Sequence, residues 1–229
     1  MRKLFSFVTL LFLSVSASAQ IGVTRFLGIP VNGTKAEMIQ KLKAKGFNSN
    51  PYDKEILEGE FNGKDVRIHV VTNKDKVYRI MVVDANPTNE VDIRINFNNL
   101  CCQFSNNEKY RLATDSIENF ILPDNEDIDY EISVHNKRYE VAFYQKPDIV
   151  DSVAFINSTH PYLIRSLTEE EINNPTNTQR RLISSAAELA RSLESLNNIV
   201  WFMITRKYGE YRIALYYDNV RNQANGEDL

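Results

Sequence analysis

The sequence predicts an α+β fold in which an antiparallel β-sheet has helices packed on one face. Two kinds of pattern support it: alternating apolar runs joined by short hairpin turns, and helical apolar stripes between those runs. The order of helix and then hairpin recurs in both halves of the chain. The two helix–meander units could be degenerate copies of one motif, or simply hairpins that obey the same rules.

The first 19 residues have the features of a secretory signal peptide. A basic start precedes the apolar run Leu4–Leu13, and Ala17–Ala19 has the small-residue form that signal peptidase cleaves. We expect cleavage between Ala19 and Gln20, and no lipid anchor because residue 20 is not Cys. The mature protein is then expected in the periplasm or outside the cell, with no segment that spans a membrane.

The mature chain is acidic. Of the 27 Lys and Arg residues, two lie in the leader, so 25 remain against 30 Asp and Glu, a formal net charge of −5. Nucleic-acid binding requires a positive surface, so we expect no nucleic-acid partner. A composition of 43% hydrophobic and 25% charged residues is typical of a globular protein and excludes general disorder.

We expect the mature chain to divide into two regions that could share one core. Residues 20–108 are predicted to form a helix, a three-stranded meander and a second helix. Residues 109–221 are predicted to form a hairpin, an irregular segment, a long helix and a C-terminal hairpin. Residues 222–229 are polar and are predicted to be a mobile tail.

The first helix and the first hairpin have the clearest local signals. Thr34 and Glu37 form a capping box, which predicts a helix over about 35–45. Asn62-Gly63 predicts a two-residue turn between strands Leu57–Phe61 and Lys64–Val71. That turn pairs Leu57 with Ile68, Gly59 with Val66 and Glu58 with Arg67.

A third strand and a second helix complete the first region. In the strand Val77–Val83, we expect Tyr78, Ile80 and Val82 to face the core. The next apolar residues follow a helical spacing, although an alternation from Val91 also permits a strand. The members of that helical stripe are Ile93, Phe97, Leu100, Cys101 and Phe104.

The second region is predicted to contain two hairpins and one long helix. A hairpin at about 128–145 is expected to turn at Asn136-Lys137, and residues 146–175 are expected to be an irregular covering segment. A helix over about 177–197 is followed by a hairpin of Ile199–Arg206 and Glu210–Asp218.

No pattern predicts catalysis, so we expect no enzyme activity, no metal site and no cofactor. The three histidines lack metal-ligand spacing, and no nucleophile elbow occurs. Cys101 and Cys102 are adjacent and cannot staple distant segments. We interpret them as packing residues on a helix; a vicinal redox switch and intermolecular pairing are the alternatives.

The strand registers predict one candidate binding surface, the sheet face opposite the core. It is rich in Trp, Tyr, Met and Arg, which are enriched in binding hot spots. A covering segment over this face is the alternative, because a lone Trp is usually at least half buried. The predicted face consists of Arg67, His69, Arg79, Met81, Arg138, Tyr144, Trp201, Met203 and Tyr216.

These residues support three functional hypotheses. The first is an exported, non-catalytic module for protein binding or envelope assembly. The second is a carbohydrate-binding protein that stacks sugar rings on Trp201, Tyr216 or Tyr144, and the third is an enzyme of unrecognised type. Separately, Ser116 and Ser152 lie in Asp-Ser-aliphatic triplets that resemble an O-glycosylation acceptor pattern of exported bacterial proteins.

The segment Gly28–Ile39, followed by Gly46-Phe47, resembles the opening of small bacterial envelope modules. In these a G-[ST]-K-x-E helix packs on an antiparallel sheet, as in the BamE-like and β-lactamase-inhibitor-protein-like groups. The match covers about 60 residues through Val83, and the rest of the chain is similar to uncharacterised secreted bacterial proteins. The resemblance implies non-catalytic protein binding through one sheet face, and it assigns no catalytic residue.

Overall fold

A computed structural model of the chain describes residues 22–224 and Gly226. The predicted signal peptide and its cleavage between Ala19 and Gln20 lie outside these residues, as does half of the predicted tail. Asn222, assigned to that tail, is held in place: its side chain donates to Asn32 Oδ1 at 2.9 Å and to the Val77 carbonyl at 2.8 Å. Among the described helices, none is long and apolar enough to cross a membrane.

The described chain alternates helices with antiparallel strands. The helices are α1 (Lys35–Ala44), α2 (Glu90–Ser105), α3 (Ile128–His135), α4 (Ser152–Thr159), α5 (Glu169–Asn173) and α6 (Asn177–Ser195). The strands are β1 (Arg25–Phe26), β2 (Ile29–Pro30), β3 (Asn48–Ser49), β4 (Ile56–Phe61), β5 (Lys64–Asn73), β6 (Lys76–Asp84), β7 (Tyr110–Leu112), β8 (Glu140–Gln145), β9 (Asn198–Lys207) and β10 (Glu210–Asn219). Short 3₁₀ turns occur at Ile117–Phe120, Pro161–Leu163 and Val220–Asn222.

Eight of these strands form one antiparallel sheet in the order β3-β4-β5-β6-β10-β9-β8-β7, and β1 pairs with β2 separately. The prediction of an α+β fold with an antiparallel sheet is therefore confirmed. The strand that closes the chain, β10, lies in the middle of the sheet beside β6, with Leu215 opposite Val82. Strands from both halves of the sequence thus share one sheet.

One face of this sheet, the inner face, is covered by α1, α2 and α3. Met38 and Leu42 of α1, Phe97 of α2 and Ile128 of α3 are almost fully buried there with the apolar side chains of the strands. Phe97 meets Phe202 edge-on, with ring centroids 5.3 Å apart. Burial of these apolar side chains stabilises the helix-on-sheet layer.

A second apolar cluster lies between α4 and α6. Phe155 and Ile156 of α4 pack against Ile183 and Ala190 of α6. The end of α6 is joined to the residues after β10 by the buried Glu194, which forms an ion pair with Arg221. The other carboxylate oxygen of Glu194 lies 3.2 Å from His160 Nε2.

The local signals of the first region are confirmed. The capping box of Thr34 and Glu37 is formed at the start of α1, and the first hairpin has the predicted pairs, Leu57 with Ile68 and Gly59 with Val66. The segment after Asn89 is a helix rather than a strand, and its stripe faces the core with Cys101 fully buried.

The predicted core face of the third strand is wrong at its start. Val77 is buried and Tyr78 is only half-buried, whereas Ile80 and Val82 are buried as expected. The pairing shifts between Val71 and Thr72, so that Tyr78 has no partner on β5. Such a β-bulge changes the alternation by one residue, which a period-two pattern does not reveal.

The predicted hairpin at 128–145 is wrong in its first arm, which is the helix α3. The Asp127 side chain accepts a hydrogen bond from the Tyr130 N–H at 2.9 Å and caps the helix start. Asn136 has φ 53° and ends the helix in the left-handed conformation. The residue that suggested a hairpin turn is therefore a helix C-cap. The second arm is correct, with Val141 and Phe143 buried in β8.

The segment 146–175, predicted to be irregular, contains α4 and α5. Both helices are short, with 8 and 5 residues, so neither has enough turns to show a stripe. Each begins with a capping side chain: Asp151 caps α4 and Thr168 caps α5. The segment packs on α6 and forms the second cluster.

Candidate functional site

The outer face of the sheet carries the predicted binding residues on strands β5, β6, β10, β9 and β8, except Arg138, which lies two residues before β8. The last hairpin has the predicted register, with Phe202 opposite Leu215 and Trp201 opposite Tyr216. Because strand residues alternate, the buried Phe202 and Leu215 face the core and Trp201 and Tyr216 face outward.

Five outward side chains form one row across the sheet, which we call the central row. Cα pairing places His69 opposite Met81, Met81 opposite Tyr216, Tyr216 opposite Trp201, and Trp201 opposite Ala142. All five are partly exposed. The structure therefore brings together four predicted residues that are far apart in sequence.

The two aromatic rings of the central row are stacked on each other. The centroids of Trp201 and Tyr216 are 4.0 Å apart with an interplanar angle of 15°. The guanidinium carbon of Arg79 is 4.9 Å from the Tyr216 centroid and 5.4 Å from the Trp201 centroid. These similar distances place Arg79 beside the stack, not beyond either outer ring face.

Asp218 holds this cluster in place. Its carboxylate accepts hydrogen bonds from Arg79 Nε at 2.6 Å, from Arg79 Nη2 at 2.7 Å, and from the Trp201 indole N–H at 3.0 Å. Asp218 is buried and Arg79 is half-buried. The hydrogen bonds to Asp218 raise the pKa of the Arg79 guanidinium, which therefore stays protonated.

The free face of Trp201 borders a shallow pocket. The residue opposite Trp201 on β8 is Ala142, which is too small to cover the indole. The resulting pocket has a volume of about 390 Å³. Its rim includes the ion pair of Arg138 Nη2 and Glu140 Oε2 at 2.6 Å. The lining residues are Thr114, Phe120, Arg138, Glu140, Val141, Ala142 and Trp201.

The other predicted residues flank the central row. Met203 lies opposite Glu140 and Ala214, and Arg67 pairs with Glu58 at 3.2 Å. Tyr144 is next to β7, where the Arg111 guanidinium is 5.3 Å from its ring centroid. At the opposite end of the row, burial lowers the pKa of His69 below its usual 6.5.

The structure places both predicted glycosylation serines away from the outer-face strands. Ser116 precedes a 3₁₀ turn and donates a hydrogen bond to Glu118. Ser152 is the first residue of α4. Both are partly exposed, and glycosylation of either serine stays a prediction.

A metal site and a reactive cysteine are two further kinds of chemical site that the described residues can be checked for. Among the described residues, no group of three or more His, Cys, Asp or Glu side chains is arranged to hold a metal ion. Cys101 and Cys102 are free; Cys101 is buried and Cys102 is exposed. Burial raises the pKa of the Cys101 thiol to about 12.

Sequence reasoning missed Asp218, Ala142 and Phe120. Asp218 was predicted only as the end of a strand, although its position two residues after Tyr216 places both on the same face. Ala142 and Phe120 contribute to the pocket only through the pairing of β8 with β9 and the path of the chain after β7. No local signal identifies them.

Comparisons of the chain with protein-family models, with curated proteins and with solved structures find no match.

Proposed function

We propose that this chain is an exported, non-catalytic module for protein binding or envelope assembly, and that its partner docks on the outer sheet face. The observation that carries the proposal is the pocket beside Trp201. An open indole face, an apolar floor and a polar rim form the kind of site that accepts one anchor side chain of a protein partner.

The rigidity of the cluster supports this proposal. Trp201 is fixed by Tyr216 on one side and by Asp218 at its N–H. A side chain that is already ordered loses less conformational entropy on binding, so more of the contact energy contributes to affinity. The resemblance of Gly28–Phe47 to envelope modules points in the same direction, as does the signal-like leader.

The test is a comparison of partner capture by variants of the tagged mature protein. In Ala142→Leu, the added side chain fills the pocket without removing a core contact; in Trp201→Ala, the indole is removed. Tyr208→Ala, in the exposed turn between β9 and β10, is the matched control.

We expect one protein to be captured by the wild type and by Tyr208→Ala, and its purified form to bind Ala142→Leu at least 10-fold more weakly. Circular dichroism would check that each variant is folded. Equal binding by Ala142→Leu and the wild type would remove the outer face from the proposal.

A sugar ring stacked on Trp201 is the second candidate, favoured by the open indole face beside Arg138 and Glu140. Tyr216 offers no equivalent open ring face, because it is stacked on Trp201 on one side and lies opposite Met81 of β6 on the other. The emission of the single Trp should shift with a binding glycan, and a flat response across a glycan panel would exclude this site.

A further inference from the structure

A second cavity system lies on the inner side of the sheet, between α2 and the first hairpin. Two adjoining cavities of about 130 and 380 Å³ share the lining residues Phe61, Asn62, Leu100 and Gln103. The larger cavity is within the usual size range of small-molecule sites, about 300 Å³ and above. We call these two cavities the α2 groove.

Carboxamides border both cavities of the α2 groove. Asn96 and Asn99 line the smaller cavity, Asn107 lines the larger one, and Asn62 and Gln103 line both. Asn96, Asn99 and Gln103 are spaced by three and four residues on α2 and so form one ridge. Asn62 faces them from the hairpin turn, where its φ of 53° fixes its position, and its Nδ2 donates to Gln103 Oε1 at 2.8 Å.

These carboxamides have donor and acceptor groups that make no hydrogen bond to the described part of the protein. Within the described residues, the side chains of Asn96 and Asn99 have no hydrogen-bond partner. Asn98, on the same helix, is instead used by the fold: its side chain bonds both the N–H and the carbonyl of Leu122, each at 2.9 Å. The Asn62–Gln103 contact leaves the Asn62 carbonyl and the Gln103 amino group available.

The charge and floor of the groove restrict the ligand further. Lys64 and Asp84 line the wall of the groove as an ion pair, with Lys64 Nζ 3.7 Å from Asp84 Oδ2. Their opposite charges offset each other. Val66, Val82 and Leu215 form an apolar floor, and the half-buried Phe61 lies where the two cavities meet. A suitable ligand is uncharged, carries groups that both donate and accept hydrogen bonds, and has an apolar face.

We propose that the α2 groove binds a neutral saccharide. Sugar hydroxyls match the paired donor and acceptor of each carboxamide, and the C–H face of a sugar ring matches the apolar floor. This site is on the opposite side of the sheet from Trp201, so the proposal is independent of protein binding at the outer face.

The test is isothermal titration calorimetry with neutral malto-, cello-, xylo- and chito-oligosaccharides. We expect at least one to bind, and the double variant Asn96→Ala/Asn99→Ala to bind it at least 10-fold more weakly. Asn157→Ala, an exposed asparagine on α4, is the control for the substitution and should bind as the wild type does.

Further measurements make the outcome specific. Binding at the groove should survive Trp201→Ala and leave Trp201 emission unchanged, because the indole is on the other face of the sheet. No binding across the panel, equal binding by the double variant, or tighter binding of a uronic-acid oligosaccharide or a neutral peptide would each overturn the proposal.

Discussion

The carboxylate of Asp218 accepts a hydrogen bond from the indole N–H of Trp201 at 3.0 Å while it also binds Arg79 at two points. A single buried acid therefore orders both an aromatic and a cationic side chain of the outer face. This arrangement fixes the ring that borders the pocket.

Asp218→Asn should destabilise the protein and disturb Trp201. The variant leaves Arg79 without its counter-ion in a partly desolvated position, which we expect to cost about 3 kcal/mol, the low end for a broken buried pair. Urea denaturation measures the loss, and a change in Trp emission reports the site. Glu140→Gln, which breaks the more exposed pair with Arg138, should cost less than about 1 kcal/mol; equal losses would contradict this interpretation.

His69 should make the stability depend on pH in mildly acidic solution. Burial lowers its pKa in the folded protein below 6.5, so the unfolded chain binds the proton first as the pH falls. Its contribution is therefore complete above about pH 6.5 and decreases as the pH falls toward the folded-state pKa. His69→Gln should lack this decrease, while His135→Gln, exposed on α3, should keep it. An NMR titration of His69 with a pKa at or above 6.5 would refute the prediction.

The two cysteines should differ in reactivity. The buried Cys101 has a raised pKa and lacks access, whereas Cys102 is exposed. At pH 8, the reduced native protein should react rapidly with one equivalent of a thiol reagent. Cys102→Ser should abolish that reaction and Cys101→Ser should retain it. Rapid labelling of both thiols would show that the helix opens at this point.

Asn136 should tolerate glycine and resist alanine. Its φ of 53° and ψ of 30° lie in the left-handed region, which glycine adopts freely and alanine does not. We expect Asn136→Ala to lower the free energy of unfolding by about 1 kcal/mol and Asn136→Gly to change it little. Chemical denaturation of the two variants side by side provides the measurement, and no difference between them would contradict the C-cap assignment.

The sequence predicts those parts of the fold that short-range chemistry fixes. Asn62-Gly63 specifies a two-residue turn, and that turn alone sets the pairing of Leu57 with Ile68. The same argument places Trp201 beside Tyr216. The capping box of Thr34 and Glu37 likewise needs only four residues.

The rest depends on information that is not local. Asn136 is compatible with a hairpin turn or a helix C-cap, and the packing of Ile128 in the core favours the helix together with the Asp127 cap. The pocket beside Trp201 requires Ala142 from another strand, and the α2 groove requires Asn62 to face α2. Neither contact follows from the sequence until the strand order and the position of α2 are known.

The seam between β6 and β10 has a consequence for how the chain reaches this structure. Ile213 donates its N–H to the side chain of Asp84, 129 residues earlier in the sequence. The two strands that pair in the middle of the sheet are therefore far apart along the chain. Contacts of such long range slow folding. A chain shortened by its last strand would lose the centre of the sheet rather than an edge, leaving β3–β6 and β7–β9 as two separate half-sheets, each with an unpaired strand exposed to aggregation.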